Sequence, residues 1–222
     1  MADFFSENGK FIQGLTRIMD CMLLSLLWVV CCLPVFTIGA ATTALFQEGR
    51  RALREHKSYV VRGYFESFRS NFKQITPIFL LQLGLFALFW ADAYMAGQFL
   101  LQGNSLGLAV YLFYVLMILD VCWCFYTCAY TARFDLDRRG IMKNSALIAF
   151  MNLPWSALMM VILFVVGWFV LYWAPPLILI MPGLLTWLFL AILERIFRKY
   201  MSPEELSKLK EKEEQEEEEE ES

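Results

Sequence analysis

The sequence predicts an all-α, polytopic transmembrane bundle of about five spans, with cytoplasmic amphipathic helices and an acidic C-terminal tail. Three observations predict it. Hydrophobic residues make up 59% of the 222 positions, whereas soluble domains sit nearer ~45–50% even with glycine counted. Most of that apolar content is gathered into long runs, each near the ~20 residues a helix needs to cross ~30 Å of hydrocarbon. The runs lack the period-2 alternation of a membrane barrel, and in lipid only helices or closed barrels satisfy the backbone.

The elements follow in order. Between residues 4 and 20, Phe11, Ile12, Leu15, Ile18 and Met19 recur at helical spacing among charged residues, which predicts an amphipathic helix lying in the membrane interface. The N-terminus lacks a basic segment and a small-residue cleavage pattern, so the first apolar run is expected to stay as a span. The predicted spans are about 21–46, 77–101, 106–132, 154–173 and 177–193, all within one transmembrane domain over 1–200. The first run is longer than one crossing needs, and its Pro34 and Gly39 predict a kinked or broken helix.

The links differ in charge. Gln102-Gly-Asn-Ser105 and Ala174-Pro-Pro176 are neutral and look like tips of tight helical hairpins. Residues 47–76 carry seven Lys or Arg, including Arg50, Arg51, Arg62, Arg69 and Lys73; further basic residues fall at 133–144 and after the last span. By the positive-inside rule these three links and the C-terminus face the cytoplasm of a plasma membrane. Five crossings then put the N-terminus outside; a re-entrant first segment would put it inside. Arg62-Gly63 precedes Pro77 at the spacing by which Arg139-Gly140 precedes Pro154, so two like-oriented hairpin units are one reading and coincidence the other.

In the tail (201–222), Ser202-Pro203-Glu204-Glu205 reads as a helix start, and the glutamates from Glu211 to Glu221 repel one another and favour disorder. That tail makes the formal net charge of −3 a poor guide to the rest of the chain, which is basic.

Few residues suggest chemistry. Asp120 sits mid-run, where a carboxylate costs ~2.5–3.5 kcal/mol to insert. It is expected to face the bundle, either as a proton or substrate site or as a buried polar contact. Asp92 should lie ten or more ångströms away in depth (about 1.5 Å rise per residue), which makes the two a poor acid–base pair. Phe65, Phe68, Phe72 and Ile75 fall on one helical stripe with Arg62, Arg69 and Lys73 off it. A helix on anionic lipid headgroups explains this pattern, and a cytoplasmic docking surface is the sharper alternative. Gly39, Thr42 and Thr43 belong to a small-residue face beyond Pro34, read as helix packing or as a broken helix lining a polar site. The six cysteines lie inside apolar stretches, without a CxxC and far from the single histidine. Neither a metal nor a cofactor is expected, and no catalytic motif occurs.

Two segments carry a resemblance. Leu26-Leu-Trp28 with Cys32-Leu-Pro-Val-Phe-Thr-Ile-Gly-Ala-Ala-Thr-Thr-Ala-Leu45, and Phe65-Glu-Ser-Phe-Arg-Ser-Asn-Phe-Lys-Gln74, resemble the YesL-like bacterial membrane proteins. The resemblance runs to about position 200 and leaves out the acidic tail. It implies a bacterial plasma membrane and an accessory role in carbohydrate uptake or use beside a transporter, and it brings no catalytic residues. The expectation is a non-enzymatic membrane protein; the alternative is a small permease-like transporter with Asp120 in its path. An intramembrane enzyme is a weaker third, since it needs a polar cluster at one depth.

Overall fold

The computed structural model describes residues 10–54, 60–134, 136–173 and 175–200. Among these the chain is all-α, without strands: α1 (Lys10–Cys31), α2 (Ile38–Arg54), α3 (Val60–Leu101), α4 (Ala109–Thr131), α5 (Arg138–Met151), α6 (Leu153–Tyr172) and α7 (Met181–Tyr200). Three helical stretches are long and apolar enough to cross a membrane: α3, residues 105–131 around α4, and α6. The segment at 4–9 and the tail after position 200 lie outside the described residues.

The first apolar run is two helices, not one. α1 ends at Cys31, and α2 begins at Ile38 after a 3₁₀ turn at Val35–Thr37. Pro34 cannot donate a helical hydrogen bond; Thr37 caps the break, its hydroxyl lying within 2.6 Å of Cys31 O and 2.5 Å of Pro34 O. The two helices fold back on one another. Trp28 Nε1 donates to Thr42 Oγ1 at 3.2 Å, and Leu24 clusters with Ala44 and Leu45. The start of α1 and the end of α2 therefore share one end of the molecule. The run expected as one span at 21–46 is thus divided between two helices that pack on one another.

α1 also absorbs the N-terminal stretch expected to lie in the interface, since residues 10–20 continue into 21–31 as one helix.

α3 holds 42 residues and continues through Pro77. A surface-lying helix leading into a span would have to turn by close to a right angle at the proline; here the basic segment and the span are one helix. Pro77 has no N–H to offer Lys73 O, the acceptor four residues back. Arg138 Nη2 takes that acceptor at 3.0 Å, and the neighbouring Gln74 amide bonds Leu136 O. The second Pro acts differently: α5 stops at Met151 and Pro154 falls in the first turn of α6. The two units of the supposed repeat thus diverge at their prolines. We expect Arg138→Gln to cost about 1 kcal/mol, a typical net value for one hydrogen bond. In a Pro77→Ala background, where the backbone N–H returns, the same change should cost close to nothing. Thermal unfolding of the four proteins in detergent measures this, and equal losses in both backgrounds would refute the capping role.

The α3–α4 connection is a tight hairpin. Gly103 takes φ 76° and Asn104 N donates to Phe99 O at 3.1 Å, a Schellman closure that favours glycine at the left-handed position. Asn104 then caps the next turn, accepting from Leu106 N at 3.0 Å. Of the second neutral tip, Pro175 and Pro176 open a 3₁₀ turn (Pro175–Leu179), and Ala174 lies outside the described residues.

The main core joins α4, α5 and α7 with Phe46 of α2, Ile78 of α3 and Met159 of α6. α6 is packed least, with Phe164, Val165, Trp168 and Leu171 exposed, as suits a face meeting lipid tails.

Candidate functional site

Two groups of polar residues are built into this frame. The first ties α2 to α3. α2 presents a stripe of small residues, Ala40, Ala41, Thr43 and Ala44, all fully buried. Gly39 is a point of close approach: a Cβ there would lie 2.7 Å from Phe79 Cβ. Cys128 of α4 approaches the same residue, its Sγ 3.7 Å from Gly39 O, so three helices meet at this glycine. Thr43 is buried and back-bonds to Gly39 O at 2.9 Å, and Thr42 accepts from Trp28. Pro34 thus sits at the break, and Gly39, Thr42 and Thr43 take part in the packing beyond it.

One turn further along α2, Glu48 is 5% exposed. Its Oε1 accepts from Ser67 Oγ at 2.6 Å and from Arg51 Nη1 at 2.8 Å. The other oxygen lies over Gly63, where any Cβ would collide with it. Asn71 Nδ2 donates to Gln47 Oε1 at 2.8 Å, and the buried Tyr64 hydroxyl donates to Ala41 O at 3.2 Å. Sequence reasoning missed Glu48, because Gln47-Glu48-Gly49 looks like the start of a charged loop. The available signal was phase: Ala41, Ala44, Leu45 and Glu48 follow helical spacing, so the carboxylate continues the buried stripe.

Beside this clasp lies the Phe stripe. The buried face of this part of α3 is Val60, Tyr64, Ser67 and Ile75. Phe68 and Phe72 flank it half-buried, their rings 5.6 Å apart. Phe65, Arg62, Arg69 and Lys73 are exposed. The aromatic stripe therefore bridges the packed face and the basic face.

The second group lies inside the bundle. Asp120, Cys124, Thr127 and Thr131 fall on one stripe of α4, and Asp120 is 7% exposed. Thr127 is the hub of a network: Gln82 Nε2 of α3 lies 3.2 Å from its hydroxyl, and Ser145 Oγ of α5 lies 3.0 Å from it. Trp123 Nε1 donates to Ser145 Oγ at 3.1 Å. Gln82 Oε1 is buried without a hydrogen-bond partner. Asp92 is half-exposed whereas Asp120 is buried, so the two carboxylates differ in environment.

The six cysteines are free thiols, and among the described residues no three His, Cys, Asp or Glu side chains gather as a metal site.

No curated protein and no solved structure matches the chain. Residues 21–93, which hold the α1–α2 hairpin, the Glu48 clasp and most of α3, match the family model described as a protein of unknown function, DUF624.

Proposed function

We propose that this is a non-enzymatic membrane protein that works as a docking accessory through the basic end of its bundle, with that end in the cytoplasm. The observation that carries the reading is the exposed face of α3. Phe65, Arg62 and Arg69 point outward from a helix held in place from behind by Glu48, Ser67, Asn71 and Tyr64. Exposed aromatic and arginine side chains on a rigid support are what interface hot spots use. The resemblance to YesL-like proteins directs the search for a partner towards carbohydrate uptake, and a transporter component is the proposed occupant.

The test is photocrosslinking from Phe65 in native membranes. A specific adduct with a transport component is expected, lost on Arg62→Glu/Arg69→Glu. Adducts with lipid alone would refute docking. The fold-back of α1 on α2 adds a prediction about sidedness: epitope tags at the N-terminus and at 55–59 should be digested from the same face of sealed vesicles. Opposite faces would mean that the first run crosses the bilayer after all.

A second reading is a permease-like protein that uses the α4 stripe. Its support is the buried Asp120 in line with Thr127 and the unpartnered Gln82 Oε1. On this reading, Asp120→Asn abolishes flux in proteoliposomes that the wild type conducts. A wild type without flux for any sugar or for protons would end it.

A further inference from the structure

At the side of α3 away from Phe65, a depression of about 520 Å³ is lined by Ser70, Lys73, Gln74, Asp137, Arg138 and Arg139. It joins two elements distant in sequence, α3 and the start of α5. Arg138 is anchored by its bond to Lys73 O, and Gln74 fixes Leu136 beside it. The acid in the depression, Asp137, is turned towards α5, its Oδ1 accepting from Gly140 N at 3.2 Å. Three cations thus line one space, and among the described residues the carboxylate lining it is engaged with backbone.

The place of the depression identifies the ligand. Along α3 the exposed residues change from Lys73 to Leu80 and Leu81; along α5 they change from Arg138, Arg139 and Lys143 to Leu147 and Phe150. Both helices pass from basic to apolar exposure just beyond the depression. A ligand seated there meets cations at one end and lipid-facing leucine and phenylalanine at the other. We propose that Lys73, Arg138 and Arg139 hold the phosphate of an anionic phospholipid headgroup, with the acyl chains lying along the apolar faces of α3 and α5. This is a site distinct from the Phe65 face and independent of what docks there.

The test titrates phosphatidylglycerol into the full-length protein in detergent, with phosphatidylcholine and inorganic phosphate as comparison probes. Lys73→Gln/Arg139→Gln removes two of the cations and leaves Arg138 to cap α3. Arg62→Gln/Arg69→Gln removes the same charge from the same helix outside the depression. The first pair is expected to lower phosphatidylglycerol affinity about tenfold or more, and the second less than about twofold, as charge near a lipid phosphate requires. Arg139→Glu alone, on an exposed side chain, should give the same ordering and serves if the double variant fails to fold. Equal losses in the two pairs would mean diffuse surface charge and overturn the site. Equal binding of phosphatidylcholine would overturn the anion requirement. Displacement by inorganic phosphate as effective as by the lipid would make the ligand a soluble anion and overturn the lipid assignment.

Discussion

Gly39→Val is expected to unfold the bundle, or to lower its stability by about 3 kcal/mol or more. A single Cβ at position 39 already meets Phe79 Cβ at 2.7 Å and Cγ at 2.8 Å. The Cβ of Phe79 is fixed to the backbone of α3, so no rotamer change removes the contact; the helices must separate. Overpacking of this kind costs ~1–3 kcal/mol per insertion, occasionally more. The branched side chain adds further atoms beyond that Cβ, against a Phe79 ring already within 3.2 Å of it. Gly39→Ala should cost less, about 1–2 kcal/mol, because alanine returns up to ~1 kcal/mol of helix propensity. Thermal unfolding in mild detergent, followed by size exclusion, reads both. A Gly39→Val protein with wild-type stability would show that α2 does not pack on α3 as described.

The Glu48–Gly63 contact gives a result with a change of sign. Gly63→Ala drives a Cβ into the Glu48 carboxylate and displaces it from Ser67 and Arg51. Hydrogen bonds to a charged group are worth ~1.5–3 kcal/mol, so the net loss after the propensity gain should be about 1–2 kcal/mol. Glu48→Ala removes the obstacle and costs about 1–3 kcal/mol on its own, by leaving the buried Ser67 hydroxyl short of its acceptor. In that background Gly63→Ala should become stabilising, by up to ~1 kcal/mol, because only the helix propensity term remains. The double-mutant cycle therefore carries a coupling of about 2 kcal/mol. Gly63→Ala equally harmful in both backgrounds would sink the clasp.

These two contacts show where sequence reading ended. Glycine and alanine between Gly39 and Ala44 signalled a close helix approach, but not which helix approaches. Gly63 stood out only as half of a supposed repeat, and nothing local to it says that a carboxylate from 15 positions earlier lies on its surface. Arg138 read as one more positive-inside residue. Its use as a cap for the carbonyl that Pro77 orphans depends on α5 lying beside α3, a contact between residues 65 apart.

The sequence by itself determined the all-α class, the length and apolarity that suit α3, α4 and α6 to crossing a membrane, the break at Pro34 and the hairpin tip at Gln102–Ser105. Each follows from local physics: the length of an apolar run, the missing N–H of proline, the left-handed φ that glycine accepts. Only the tertiary structure decided that the first run folds back on itself, which moves the start of α1 to the basic end. It also decided that Glu48 is buried, that α3 runs on through Pro77, and that Lys73 meets Arg138 and Arg139. These are outcomes of long-range packing. A helix carries its apolar stripe in its own sequence, but the partner against which a buried carboxylate or an orphaned carbonyl is satisfied comes from another part of the chain.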